Sequence, residues 1–592
     1  WILGKEHIIH PSDETDISGN YDLNLDGSRY RMTVTEKKAS LTIPGDTTPV
    51  KVSLEELDRQ VNLVFELPDR GYYRLHGNIN RRLNIWSGAG ESPSGKEIEW
   101  NAIRKGNAEE PLSPEKPEKD SDRVSALSYP NNGYGWRERP MRENLLITNA
   151  TVWTNGAEGI MDDADVLILD GKISAVGHNL VLADLLPKNI EKSTVRTLDA
   201  YGKHVTSGII DEHSHIAISR GVNEGTQASS AEVRIGDVVD PEDIDIYYQL
   251  AGGVTACQLL HGSANPIGGQ SALIKLRWGL NAEALKIEDA PGFIKFALGE
   301  NVKQSNWGNA YRTRFPQSRM GVEQVFYDHF HRAREYHRLN QRVLTLQSDK
   351  RARKRGEVPV MRTDLEMEAL AEILYQKRFI TCHSYVQSEI DMLMHVADSM
   401  GFTLNTFTHV LEGYKLADKL AEHGAGASTF SDWWAYKYEV RDAIPYNASL
   451  MHGQGVTVAI NSDDAEMGRR LNQEAAKGVK YGGMSEEEAW KMVTLNPAKL
   501  LHLDHRMGSL EIGKDADVVI WSDHPLSMTA RVEKTFVDGI RYYDIEEANK
   551  RRNEIKNERA RLVQKMMRAG GQKKKPSGPK EKHRYHCDHL EP

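Results

Sequence analysis

The chain has 592 residues, with 76 Lys and Arg against 85 Asp and Glu, a net charge of −9 and an isoelectric point near 6.2. That balance lacks the positive field behind sequence-independent nucleic-acid binding, so nucleic acid is excluded as the main partner. Hydrophobic residues make up 39% and charged residues 27%, an ordinary folded composition, and the length exceeds what one core organises, so two or three domains are expected.

The chain opens on Trp1-Ile-Leu-Gly-Lys, which fits a processed or truncated product and has no signal-peptide layout. A periplasmic or secreted location is the expectation if a signal once preceded Trp1. No apolar run reaches the roughly 18 to 20 residues a spanning helix needs, so membrane insertion is not expected. Residues 1–106 read as a small all-β accessory domain, a sandwich or barrel. Its alternating runs include Tyr30-Arg-Met-Thr-Val-Thr-Glu, Lys38-Ala-Ser-Leu-Thr-Ile, Val61-Asn-Leu-Val-Phe-Glu-Leu and Tyr72-Tyr-Arg-Leu-His, broken by Gly, Asp, Asn and Pro. The aromatics around Trp86 and Trp100 are read as core packing rather than a ligand-holding barrel. Residues 107–142, rich in Pro, Glu, Lys, Asp and Ser at the start, read as a solvated linker.

Two β-rich flanks follow, 143–206 and 506–545, with strand pairs and an Asp170-Gly171 hairpin turn. They are expected to meet as one composite β-sandwich. Between them, 207–505 alternates short apolar runs with helical patterns, the signature of an α/β fold with a TIM-like (β/α)8 barrel. Expected barrel strands include Val254–Leu260, Ala272–Leu276, Phe293–Leu298, Phe379–Cys382, Thr403–Phe407 and Val456–Ile460. The long gap from Leu298 to Phe379 is expected to hold inserted helices. Residues 546–592 read as a charged helix and a basic disordered tail ending in His583-Arg-Tyr-His-Cys-Asp-His589, whose spacing matches no structural zinc pattern. The three cysteines, Cys257, Cys382 and Cys587, form no disulfide framework.

Chemistry concentrates at the ends of the expected barrel strands. His213 and His215 are one residue apart, so on a strand both imidazoles leave the same face and can hold one divalent ion. His383 ends Phe379-Ile-Thr-Cys-His, His409 ends Thr403-Leu-Asn-Thr-Phe-Thr-His, and Asp463 follows Val456-Thr-Val-Ala-Ile-Asn-Ser. Catalytic groups in such barrels sit at the C-terminal strand ends.

With these residues in place, the sequence resembles the amidohydrolase superfamily, and particularly its imidazolonepropionase-like and metal-dependent dipeptidase branch. The resemblance runs from about Asn144 to Tyr543 and rests on Ser207-Gly-Ile-Ile-Asp-Glu-His-Ser-His215, the ordered His383, His409 and Ser462-Asp463, Asn496-Pro-Ala-Lys, and Gly508-Ser-Leu-Glu-Ile-Gly-Lys-Asp-Ala-Asp517. The family has Pro where Ser207 stands. The resemblance implies that His213, His215 and Asp463 bind one metal and that His383 and His409 bind a second, zinc being the expected divalent ion. A bridging ligand is then needed. A carboxylated Lys295 in Phe293-Ile-Lys-Phe-Ala-Leu is one candidate, and Glu300, just past the Gly299 turn, is the rival.

The implied chemistry is attack of an activated water on a carbonyl carbon, with Asp463 moving the proton to the leaving nitrogen. His261, in Leu259-Leu-His-Gly-Ser-Ala-Asn-Pro-Ile-Gly-Gly-Gln270, reads either as an oxyanion donor or as a turn-stabilising residue. Tyr385, Trp433, Trp434 and Tyr436 read as pocket lining or packing. The expected substrate is a small peptide or cyclic amide, and a homo-oligomer is compatible with the sequence. Two other functions stay open: a deaminase using Glu412 as proton shuttle, and a catalytically silent binding or assembly subunit.

Overall fold

The computed structural model describes residues 17–35, 38–44, 48–57, 59–80, 83–106, 126–304, 314–433 and 436–569. The first part of the expected linker, Trp434, and the tail with its His583–His589 cluster lie outside the described residues.

Two units are distinguished by their internal contacts. In the first, strands β1 (Gly19–Leu25), β2 (Ser28–Val34), β3 (Ala39–Thr42), β4 (Val50–Leu57), β5 (Gln60–Leu67), β6 (Gly71–Asn80), β7 (Ile85–Glu91) and β8 (Glu97–Gly106) close into an antiparallel barrel. The period-two pattern explains it: along β1, Tyr21, Leu23 and Leu25 are buried while the residues between them are partly exposed. Aromatic side chains fill the interior. The rings of Tyr21 and Trp86 are 4.5 Å apart, and Trp100 Nε1 donates to the carbonyls of His76 and Ala89 at 3.0 and 3.1 Å. Gly77 makes room for that indole, since a Cβ there would lie 2.7 Å from the Trp100 ring. The C-terminal helix Ile545–Arg568 joins this unit from Asn549 onward, and the Gln564 amide exchanges two hydrogen bonds with the Tyr72 backbone at 2.5 and 2.8 Å.

The second unit spans Ala126–Ala548. The end of the expected linker is packed rather than free: Tyr134 lies 4.8 Å from Tyr247, ring to ring, and its carbonyl accepts from Trp278 Nε1 at 3.1 Å. Aromatic residues replace the Pro/Glu-rich texture here, which gives the segment something to bury. Strands β9 (Asn144–Trp153), β10 (Ile160–Leu169), β11 (Lys172–Gly177), β12 (Val195–Asp199) and β13 (His204–Ser207) make the upstream flank, and the Asp170-Gly171 turn has positive φ at both residues, 49° and 78°.

The central region carries β14 (Ile209–Ser214), β15 (Val254–Leu259), β16 (Ile267–Gln270), β17 (Ala272–Lys275), β18 (Gly292–Ala297), β19 (Arg378–Ser384), β20 (Thr406–His409), β21 (Gly426–Thr429) and β22 (Val458–Ile460). β14 pairs parallel with β15, and β18 through β22 form a parallel ladder. Between these ladders the Ala272 strand departs from the expected βα pattern. β17 runs antiparallel to β15, and β16 antiparallel to β18. No helix separates β15 from β17, and a parallel return needs a crossover of a dozen or more residues, so the chain comes back antiparallel. β22 and β14 meet where the Asp463 N–H donates to the His213 carbonyl at 3.1 Å, completing the ring.

The gap between β18 and β19 holds the helices Arg319–Ser348, Lys350–Arg355 and Leu365–Leu374. The first is started by Ser318, whose hydroxyl accepts from the Gly321 N–H, and it buries Val322, Phe326, Phe330 and Ala333 along one stripe. Downstream, β23 (Val518–Trp521), β24 (Val532–Val537) and β25 (Ile540–Asp544) join the upstream flank in one sheet, with β13 and β23 paired from His204↔Trp521 to Ser207↔Val518. Lys275, fully buried on β17, meets Asp515, Asp517 and Asp538 at 2.8, 2.9 and 2.5 Å. No helix among the described residues is long and apolar enough to cross a membrane.

Candidate metal centre

The site begins at Gly208. A Cβ there would lie 2.0 Å from Thr255 Oγ1, so only glycine lets β14 leave the flank sheet this close to β15. The strand then delivers His213 at its end and His215 just beyond it. Nε2 of His213 and of His215 are 3.2 Å apart, and Asp463 Oδ1 lies 3.3 Å from the first and 3.1 Å from the second. Nε2 of His409 is 3.8 Å from Asp463 Oδ2, and His213, His409 and Asp463 each offer a ligand atom within 4.8 Å of the others. Asp463 and His409 both hold positive φ, 50° and 67°, in a conformation non-glycine residues rarely adopt without support from their surroundings.

The donor set fits a divalent ion. His215 Nδ1 lies 3.0 Å from the Leu260 carbonyl, which can only accept, so that nitrogen carries the ring hydrogen. Nε2 is then the ring nitrogen left to bind a cation, and it faces the Asp463 carboxylate. An imidazole nitrogen and a carboxylate oxygen 3.1 Å apart are ligand types that a divalent ion takes between them. Ligands about 2.0–2.1 Å from zinc at tetrahedral angles stand about 3.3–3.4 Å apart, close to the spacing found here. Burial, and then the neighbouring Lys295 charge, hold His213 well below the usual histidine range, which keeps its ring neutral and available as a ligand.

Lys295 is fully buried on β18, and its Nζ lies 3.0 Å from His213 Nε2. Glu300 follows the Gly299 turn, whose φ is 88°, and its N–H donates to Glu439 Oε2 at 3.1 Å. Lys295 therefore stands within hydrogen-bond distance of a candidate ligand. His383 is the next-to-last residue of β19, paired with Ala297 in the ladder, and its ring centroid is 4.7 Å from that of His409. All five residues read from strand ends thus converge on one mouth of the ring.

Several supporting residues carry no direct signal in the sequence. Thr408 Oγ1 lies 2.9 Å from His213 Nδ1. Asp211, inside the entry motif, accepts from the His213 and Ser462 backbone N–H groups at 3.3 and 3.1 Å, and from the Ser462 hydroxyl at 2.5 Å. Below the histidines the ring is polar: Gln258 donates to Thr381 at 3.3 Å, and Asn461 donates to Ser428 at 2.8 Å and Thr408 at 3.3 Å. The buried carboxyls there are pushed up by desolvation, Asp211 to about 7 and Glu212 to about 8.

His261 is placed differently from its neighbours. Its Nδ1–H donates to the Gly262 carbonyl at 2.9 Å, and its Nε2 accepts from the Glu224 N–H at 2.8 Å. The one ring N–H is taken by Gly262 and Nε2 is an acceptor, so no N–H faces a substrate oxygen, and of the two roles expected for His261, holding the turn is the one this geometry serves. The loop glycines approach that ring: a Cβ on Gly268 would lie 2.9 Å from His261 Nδ1. Burial lowers His261 to about 4. Glu412, the expected shuttle of a deaminase, accepts the Gln387 N–H at 3.0 Å at the start of the helix Gln387–Met400 and pairs with Lys415 at 3.3 Å. That is a capping role. Tyr385 stacks on His409 at 5.5 Å and 15°, Phe430 stacks on the same ring at 4.7 Å, and Trp433 stacks on Phe430 at 4.6 Å, so these aromatics wall the centre. Tyr436 reaches that wall through its hydroxyl, 3.0 Å from that of Tyr385.

Comparison with known proteins places this geometry. A family model described as the amidohydrolase family matches residues 372–543. An amidohydrolase of Hapsidospora irregularis, tasK, is 29% identical over 434 residues, which are 67% of this chain and 43% of that protein, so the chain spans less than half of that relative's length. An imidazolonepropionase of Geobacillus sp. WCH70 is 21% identical over 387 residues, covering 61% of this chain and 84% of that protein. The crystal structure of an amidohydrolase from Thermotoga maritima MSB8 aligns with a TM-score of 0.59 at 30% identity, over 68% of this chain and 100% of that one.

Proposed function

The chain belongs to the amidohydrolase family, whose catalytic domain is a TIM barrel, and we propose that it is a metal-dependent hydrolase of an amide-type C–N bond in a small peptide or cyclic amide. The observation that carries this reading is the gathering of His213 Nε2 and His215 Nε2 around Asp463 Oδ1, at 3.3 and 3.1 Å. A divalent ion held there, zinc in this reading, supplies a water of lowered pKa and polarises the scissile carbonyl. His213, His215 and Asp463 would hold that ion, and His409 and His383 would serve a second. Asp463 takes the proton of the attacking water and returns it to the leaving nitrogen.

Lys295 completes the centre in this reading as a carbamate. An ammonium 3.0 Å from His213 Nε2 would donate into the lone pair the ion needs, whereas loss of its proton and addition of CO2 to the neutral amine, with release of a second proton, would turn the same side chain into an anionic ligand. Tyr385, Phe430 and Trp433 exclude water from one wall.

The test is hydrolysis of a dipeptide and lactam panel by protein stripped with chelator and then reloaded with zinc. Activity lost on stripping and recovered on reloading is the expected result. Activity indifferent to chelation would count against the reading.

A further inference from the structure

We infer that Asp211 is a positioning residue for the metal centre, its carboxylate clipping the first strand of the ring to the last and so fixing His213 against Asp463. This rests on the metal-binding reading above.

The two halves of the donor set sit on different strands. His213 and His215 leave β14, Asp463 follows β22, and these strands belong to separate hydrogen-bonded sheets, so no ladder sets their spacing. The seam is instead made by a few contacts. The Asp463 N–H reaches the His213 carbonyl at 3.1 Å, and Asp211, with 0% exposure, gathers three donors. Its Oδ1 accepts the N–H of His213 at 3.3 Å and that of Ser462 at 3.1 Å, while its Oδ2 accepts the Ser462 hydroxyl at 2.5 Å. One carboxylate therefore holds the backbone of one ligand and the residue preceding another.

The conformation of Asp463 shows why such a clip is needed. Its φ of 50° is held from both sides, by Ser462 on Asp211 before it and by Asp464 after it, whose carboxylate accepts the Met467 N–H at 2.9 Å. The clip sets three donors on one buried carboxyl at a seam that no ladder joins. Releasing it removes no ligand atom, yet frees Asp463 to shift against His213 and His215, and a productive site tolerates only about 0.5 Å of such movement.

The experiment is equilibrium competition for zinc with a chromophoric chelator, run on the full chain as wild type, Asp211→Asn and Ser462→Ala, with thermal melts of the metal-free proteins beside it. Asn at 211 keeps the shape but sets an NH2 group against the donors of Ser462, and Ala at 462 deletes a single hydroxyl. The expected result is a fall in zinc affinity of about 10–100-fold for Asp211→Asn, the range for groups that orient ligands, with a smaller fall in the same direction for Ser462→Ala. A merely structural residue would lower the melting temperature and leave zinc affinity alone. Affinities within about twofold of wild type in the folded variants would overturn the assignment, and Ser462→Ala decides alone if Asp211→Asn does not fold. A wild-type chain that takes up no zinc would overturn the metal reading itself, which separates the two failures.

Discussion

Nε2 of His215 stands 3.1 Å from Oδ1 of Asp463, while Nδ1 of the same ring is held 3.0 Å from the Leu260 carbonyl. The carbonyl takes the Nδ1 hydrogen and leaves Nε2 facing the carboxylate. In the proposed mechanism Asp463 is both a ligand and the base. Asp463→Asn keeps an oxygen for coordination and loses the base, so turnover should fall by about 10²–10⁴-fold while metal content falls only in part. Metal analysis and steady-state rates on one preparation check this, and near-normal turnover in the variant would sink the assignment.

Lys295 and Glu300 make opposite forecasts. With Lys295 Nζ 3.0 Å from His213, Lys295→Ala should lower bound metal by about one ion per chain and abolish a carbamate signal in protein equilibrated with ¹³C-bicarbonate. Glu300→Gln should leave both unchanged. Loss of metal in the Glu300 variant alone would reverse the choice.

His261 ties stability to pH. Burial lowers its folded value to about 4, below the roughly 6.5 of an unfolded histidine. The unfolded chain therefore binds this proton first, and stability is lost as pH falls from about 6.5 to 4, by roughly 3 kcal/mol in all. His261→Gln should remove that loss. The measurement is the melting temperature of both proteins at pH 7 and pH 5, and an equal fall in the two would contradict the role.

The positions of the candidate ligands were legible in the sequence because His213, His383, His409 and Asp463 each lie at or just past the C-terminal end of a strand, β14, β19, β20 and β22. Lys295 and Glu300 could not be separated in sequence, since the choice depends on whether the Gly299 turn brings Glu300 back to the histidines. β21 was hidden because Gly426-Ala-Ser-Thr429 has no apolar run, its small polar residues instead serving the polar interior through Ser428. The reversed β17 was read as parallel because periodicity reports burial and not direction. His261 is held by backbone N–H and C=O groups and Glu412 accepts a backbone N–H besides its pair with Lys415, and such backbone contacts are encoded by no side-chain pattern.

Gly208 tests the packing beneath the site. Gly208→Ala places a Cβ 2.0 Å from Thr255 Oγ1 and 2.4 Å from its Cγ2, an overpacking that should cost about 1–3 kcal/mol. Adding Thr255→Ala removes both atoms but leaves the Thr255 Cβ at 2.7 Å, so the double variant should recover only part of the loss. Denaturant melts of the single and double variants check this, and an unaltered single variant would contradict the packing.

The most direct test of the central claim is the metal content of the full chain purified without chelator, measured by elemental mass spectrometry beside a His213→Asn/His215→Asn double variant. The expected result is about one to two equivalents of zinc or another divalent ion in the wild type and a small fraction of that in the variant. A folded wild type that stays metal-free after incubation with zinc, or a double variant that binds as much as the wild type, would contradict it.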